Sequence, residues 1–270
     1  MRFTRESLFA DCQHVTIFQV LTQHFSIVGR GSLLTVEALL LFPLQFVNAR
    51  ARKEFFRQMY TVGLKSLPVI TLVGLFIGMV LALQVGLEMR RYNQEGYVGA
   101  GVMISSLREM GPFMAGLILA ACVGSSMAAQ IGTMVVNDEI AALEIMSINP
   151  VRYLVAPRLA AMIVMMPLLS FYLCVLSVLG GGVVAATQLS VPFMHYMRVA
   201  MDNADRYDLF VGLFKALIFG ILITGVSCLE GLRTTQGAVG VGRATRQSVV
   251  SSFLLILVVG YIVTRLFYTL

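Results

Sequence analysis

Residues 69–89 read VITLVGLFIGMVLALQVGLEM, with Glu88 the single charge in the stretch. About 20 mostly apolar residues are enough for a helix to cross the hydrocarbon of a bilayer. A helix closes its backbone hydrogen bonds within itself, which lipid demands of any such segment. Four more stretches meet the same test. Val102–Val136 carries Arg108, Glu109 and Gln130, and Leu154–Ala186 is long enough to tilt or kink, with Pro157, Pro167 and Gly180-Gly181-Gly182 inside it. Leu209–Leu229 contains Lys215, and Val249–Tyr268 has Arg265 near its end. The expected fold is an all-α integral membrane protein with five transmembrane helices.

Composition agrees with the spans. Of 270 residues 58% are hydrophobic and 13% charged, and mean hydropathy is +0.84. A soluble domain carries about 25% charged residues, so this chain cannot cover its surface with polar groups and its solvent is lipid. The net charge of +6 invites a nucleic-acid reading. In a membrane chain, however, Lys and Arg gather in cytoplasmic loops and set orientation, and no nucleic-acid role is expected. Cys12, Cys122, Cys174 and Cys228 form no CxxC pair and no disulfide framework, and the histidines at 14, 24 and 195 are scattered. That spacing suits neither zinc nor redox chemistry.

The first 25 residues mix Arg2, Arg5, Glu6 and Asp11 with polar groups and do not form a secretory signal. Leu33–Val47 is apolar but is broken by Glu37 and Pro43 and followed by Arg50, Arg52, Lys53 and Arg57. An interfacial helix on the cytoplasmic leaflet fits it. Phe55, Phe56, Met59 and Tyr60 then repeat at helical spacing and suggest an amphipathic elbow leading into the first span. The expected organisation is an N-terminal segment over 1–62 and a transmembrane domain over 63–270. With the N-terminus inside, thirteen basic residues fall on the cytoplasmic side and five on the other. That bias puts the N-terminus in the cytoplasm and the C-terminus in the periplasm.

Between the second and third spans, Asn137 to Pro150 reads as a short helix capped by Asn137 and ended by Pro150. Ile140, Leu143 and Ser147 share one face, and Asp138, Glu139 and Glu144 make the helix acidic. It is either an ordinary loop helix or a coupling helix for a groove on a cytoplasmic ATPase. Gly237 to Gly242 superficially resembles a phosphate loop, but Arg243 and Ala244 stand where a Walker A places Lys and Ser or Thr. The glycines are expected to serve a tight turn and close packing at the start of the last helix, and ATP with its magnesium is expected on another subunit.

A charge at bilayer depth costs at least about 2.5–3.5 kcal/mol on insertion scales, which makes intramembrane ionisable residues functional candidates. Here they are Arg108, Glu109 and Lys215. One reading lines a cavity with them, Arg108 or Lys215 attracting a lipid phosphate and Glu109 balancing the charge. The other is a structural ion pair, such as Glu109 with Lys215. Gln84, Ser125 and Ser126 are weaker candidates, and Gly74 with Gly78 forms a GxxxG pair suited to close helix contact at a dimer axis.

Several stretches, in order and spacing, resemble the MlaE family, the permeases of bacterial lipid-asymmetry ABC transporters that work with MCE proteins. They are Phe76 to Gln84, Leu107-Arg108-Glu109-Met110-Gly111-Pro112, Gly124 to Gly132, Glu144 to Arg158, Lys215 to Gly220 and Gly237 to Ser252. The likeness runs from about residue 30 to the end. It implies a homodimeric permease bound to two cytoplasmic ATPase subunits, a periplasmic MCE assembly, often a STAS-domain protein, and phospholipid as cargo. It implies an inner-membrane location, places 138–149 at the ATPase contact, and puts cavity-lining polar residues at 108, 109 and 215. The chain departs from the pattern where many members carry Arg at Cys122, Glu at Gln130 and Asp at Asn149. An ion-coupled secondary transporter would instead show inverted repeats and broken helices meeting at midplane, and no repeat is visible. A lipid-modifying enzyme would need a nucleophile and base or a metal cluster at depth, and His195 stands alone in a loop.

Overall fold

The computed structural model describes residues 49–235 and 237–268; the expected interfacial helix at Leu33–Val47 lies outside them. Among the described residues every regular element is helical. Helix α1 (Ala49–Gly63), which carries Phe55, Phe56, Met59 and Tyr60, leads through a turn into α2 (Leu67–Arg91). A short 3₁₀ turn at Glu95–Tyr97 opens the second span, made of α3 (Val98–Ser105), α4 (Gly111–Leu119) and α5 (Ser125–Val136). Two π-helical turns, Ser106–Met110 and Ala120–Gly124, join these three pieces. Then come α6 (Glu139–Ile145), a π turn at Val151–Val155 running into α7 (Ala156–Gln188), α8 (Phe193–Asp202), α9 (Arg206–Leu232) and α10 (Gly237–Tyr268).

Five helical stretches are long and apolar enough to cross a membrane: Arg52–Arg91, Glu95–Val136, Val151–Gln188, Arg206–Leu232 and Gly237–Tyr268. All five expected spans are present, and each is longer than its apolar stretch. At the first, helix begins at Arg52 and not at Val69, and at the last it begins at Gly237 and not at Val249. Apolarity marks where a helix meets lipid; hydrogen bonding carries the same helix out into water through Arg243 and Arg246.

The chain reverses direction through left-handed residues. Asn93, Asp138, Ser147 and Ser190 have φ of 52°, 57°, 58° and 55°. At Asn93 and Ser147 the amides of the left-handed residue and of the one after it reach back to carbonyls of the last turn, as in Ile148 N–H to Leu143 O and Ser147 N–H to Glu144 O, both 2.9 Å. These are Schellman endings. Two expectations about α6 are corrected here. Asp138 in its left-handed turn, not Asn137, precedes the helix, and Ser147, not Pro150, ends it. Pro150 opens the next helix, where its missing N–H is harmless. Asn149 caps that helix, its Oδ1 accepting from Val151 N–H at 2.9 Å and Arg152 N–H at 3.4 Å.

Helix α7 is the centre of the bundle, packed by α1, α2, α4, α8 and α9. The α2–α7 contact is built from small residues. Gly74, Gly78, Ala82 and Gly86, four apart and all buried, form one face of α2. A Cβ on Gly78 would overlap the Ser177 carbonyl, and one on Gly180 the Leu75 carbonyl. The GxxxG pair therefore sits inside one protomer and not at a dimer axis. Where no water drives helices together, such backbone approach and dispersion contact hold them. The main core, with Ile70, Leu119, Met162, Met166, Phe219 and Ile256, joins all five spans. Helices α2 and α10 flank the bundle, each with a large outward apolar face: Leu72, Phe76, Val80 and Leu87 on one, Phe253, Leu257, Tyr261 and Leu266 on the other.

Candidate functional site

The Gly111-Pro112 step determines the site's backbone. Pro112 has no N–H to give the carbonyl four residues earlier, that of Arg108. The preceding π turn, Ser106–Met110, widens the helix there, a feature frequent at functional sites. Gly111 sits against Cys174 Sγ, where a Cβ would not fit. The freed Arg108 carbonyl accepts Lys215 Nζ at 2.9 Å.

Arg108 and Glu109, which leave the turn as neighbours, meet two different residues of α9. Arg108 Nε donates to Asp208 Oδ2 at 2.8 Å, and Lys215 Nζ donates to Glu109 Oε1 at 2.8 Å. Asp208 and Lys215 are seven residues apart, two turns of one face and about 10 Å along the axis. Helix α10 closes the cluster. Thr264 Oγ1 lies 2.8 Å from Lys215 Nζ and 2.6 Å from Glu109 Oε1. Tyr268 OH donates to Asp208 Oδ1 at 2.8 Å, and its ring centroid lies 4.6 Å from the Arg108 guanidinium carbon. That distance suits a cation–π contact. Two positive and two negative groups thus form one neutral network across the second, fourth and fifth spans.

Burial divides the network. Lys215 is fully buried and the Asp208 side chain is 2% exposed, whereas Arg108 and Glu109 are each 42% exposed. Lys215 spends its three hydrogens on the Arg108 carbonyl, Glu109 and Thr264. Beside the network, Tyr261, Thr264, Arg265 and Tyr268 line an open depression on α10. Of the candidates named from sequence, Arg108, Glu109 and Lys215 are therefore brought together. Gln84 is exposed on α2 and makes no hydrogen bond to the cluster among the described residues. Asp208, Thr264 and Tyr268 were not singled out: an acid at a helix start, a threonine in an apolar run and a tyrosine at a span end each have an ordinary reading.

A second buried cation lies toward the α6 end. Arg158, 4% exposed, donates through Nη2 to Gln130 Oε1 at 3.2 Å. Gln130 Nε2 in turn donates to Ser126 Oγ at 3.2 Å, and Cys122 is exposed. At the loop itself, Ile140 packs inward against Ile131, Val155 and Leu159, and Leu143 is half-buried. Asp138, Glu139, Glu144 and Ser147 are exposed. So are two apolar side chains, Ile145 (85%) and Met146 (60%).

Residues 55–266 match the family described as Permease MlaE. A probable ABC transporter permease protein of Rickettsia prowazekii is 40% identical over 212 residues, 78% of this chain and 82% of its own. One from Synechocystis is 33% identical over 217 residues, 80% of this chain and 82% of its own. The intermembrane phospholipid transport system permease protein MlaE of Haemophilus influenzae is 32% identical over 248 residues, 90% of this chain and 93% of its own.

Proposed function

The chain belongs to the MlaE permease family, and on that footing we propose that it is the membrane subunit through which an ABC transporter moves phospholipid between the inner membrane and a periplasmic MCE-protein partner. Membership and the five apolar helices make it a multi-pass inner-membrane protein. The Haemophilus relative's role in phospholipid transport supports the choice of cargo. The observation that carries the reading is the charge cluster on the π turn. Arg108 and Glu109, half-exposed among apolar spans, turn charge outward at a depth where it is costly, which suits a polar ligand that meets them. In this reading Arg108 and Glu109 face the lipid headgroup, while Lys215 and Asp208 hold them in place.

Energy comes from a separate ATPase subunit that binds ATP and magnesium. The α6 loop is its contact. Ile145 and Met146 supply the apolar anchors, Glu139 and Glu144 the acidic flank, and Ser147 the left-handed turn that presents them. Short helices seat in grooves in this way. Two copies of the chain, two ATPase subunits, an MCE-domain protein on the outer side and a STAS-domain protein beneath complete the proposed assembly.

Ile145→Asp with Met146→Asp tests the coupling half of this reading. Both side chains are exposed, so the variant is expected to fold, to lose the co-purifying ATPase and to stop lipid transfer into acceptor vesicles. Wild-type protein that purifies without any ATPase, yet transports on an ion gradient, would replace the proposal with a secondary transporter.

A further inference from the structure

The two ion pairs of the cluster are buried in opposite senses. In one the acid is hidden and the base half-exposed: Asp208 at 2% and Arg108 at 42%. In the other the base is hidden and the acid half-exposed: Lys215 at 0% and Glu109 at 42%. A site for an anion alone has no need to turn a carboxylate outward beside its arginine. Each exposed group is also tied at one atom only. Arg108 uses Nε on Asp208, and among the described residues neither of its Nη groups makes a hydrogen bond. Glu109 uses Oε1 on Lys215 and Thr264, and its Oε2 makes none among the described residues. What remains is a pair of donors and an acceptor side by side.

Helix α10 sets their separation. Tyr268 stacks on Arg108 and Thr264 bonds Glu109, and these anchors are one turn apart, about 6 Å along the axis. A two-carbon link between a phosphate and an amine spans that interval. From these features we infer that the site selects a zwitterionic phosphoethanolamine-type headgroup over a net-anionic one, the phosphate on Arg108 and the primary ammonium on Glu109. This rests on the proposed lipid-binding role of the cluster. Arg265, exposed on the rim of the same depression, adds a second cation that favours any phosphate. Discrimination therefore falls to Glu109, which accepts from an ammonium and repels a headgroup without one.

The test uses the full-length protein in bilayer discs containing equal amounts of phosphoethanolamine, phosphocholine and phosphoglycerol lipids with matched chains. Lipids that stay bound through stepwise delipidation are counted by mass spectrometry. Phosphoethanolamine lipid is expected to be enriched about tenfold over phosphoglycerol lipid, on the order of one hydrogen bond to a charged group. Phosphocholine lipid should fall between, because its quaternary nitrogen carries the charge without an N–H. Glu109→Gln should abolish or reverse the preference. Equal retention of all three, a preference for phosphoglycerol lipid, or an unchanged preference in Glu109→Gln overturns the inference while leaving a lipid site. Loss of all three phospholipids during delipidation, with none left bound to the protein, overturns the proposed lipid-binding role itself. The lipid series needs only wild-type protein, so it decides the matter even if the variant fails to fold.

Discussion

Pro112 and Lys215 depend on each other. The proline strips the Arg108 carbonyl of its helical donor, and the lysine of another helix supplies one at 2.9 Å. Lys215 also neutralises Glu109, and its burial is tolerable only because all three hydrogens are used. Breaking a fully buried pair from one side costs about 3–5 kcal/mol, since it strands the remaining charge. Here the stranded Glu109 is 42% exposed, so the cost is nearer that of orphaning a buried acceptor such as the Arg108 carbonyl, about 1–3 kcal/mol. Lys215→Met is therefore expected to lower the unfolding free energy in detergent by that amount. Adding Glu109→Gln should recover a good part of it, because no charge is then left unpaired. A single Lys215→Met variant as stable as wild type would remove the structural role of the pair. Arg108, Glu109 and Lys215 were legible in the sequence because charge in an apolar run is conspicuous. Their actual partners were not. Asp208 reads as an ordinary acid at a helix start, and Thr264 and Tyr268 carry no charge to draw notice, so only the fold joins positions 108, 208 and 268. Asn149 is a milder case. Its departure from the family's Asp is small in physical terms, because Asn and Asp cap a helix about equally well and this position is a cap.

Among the helices, hydropathy revealed the number and order of spans but not their ends. A helix continues into water as long as its backbone bonds are made, which is why α10 starts twelve residues before the apolar run. The π turns were also hidden. Leu107 to Pro112 looks like any proline-bearing stretch, and the extra residue per turn is a consequence of packing against α7 and α9. The small-residue face of α2 gives a sharp test. Gly78→Ala must push the Ser177 carbonyl away, and overpacking of this kind costs about 1–3 kcal/mol. Gly242→Ala, with nothing within 4 Å of its new methyl, should be neutral or stabilising by roughly up to 1 kcal/mol on helix propensity alone. Thermal unfolding of the two variants in one detergent checks the contrast. If Gly78→Ala instead dissociated a dimer of unchanged protomer stability, the contact would belong between subunits after all.

The bundle as a whole has two unlike ends. One carries α1, α6 and the turn at 233–235; the other carries the 3₁₀ turn, α8 and the last turn of α10. Basic residues gather at the first. Among the described residues these are Arg50, Arg52, Lys53, Arg57 and Lys65 ahead of α2, with Arg152, Arg158, Arg233, Arg243 and Arg246 further along the chain. The second end has Arg90, Arg91, Arg198, Arg206 and Arg265. Lys and Arg resist translocation, so the α6 end is expected to stay in the cytoplasm. The proposal also requires it, because an ATPase reaches only that side, and the Arg108–Asp208–Tyr268 cluster then lies toward the periplasm, near an MCE partner. A cysteine replacing exposed Glu144 in the α6 loop and one replacing exposed Ser190 beyond α7 report the two ends separately, with Cys12 and Cys122 changed to Ser. In intact cells, a membrane-impermeant maleimide is expected to modify Ser190→Cys at once and Glu144→Cys only after the inner membrane is opened. The opposite pattern would invert the protein, place the acidic coupling loop beyond the reach of any ATPase, and leave the charge cluster facing the wrong compartment for export or import through an outer partner.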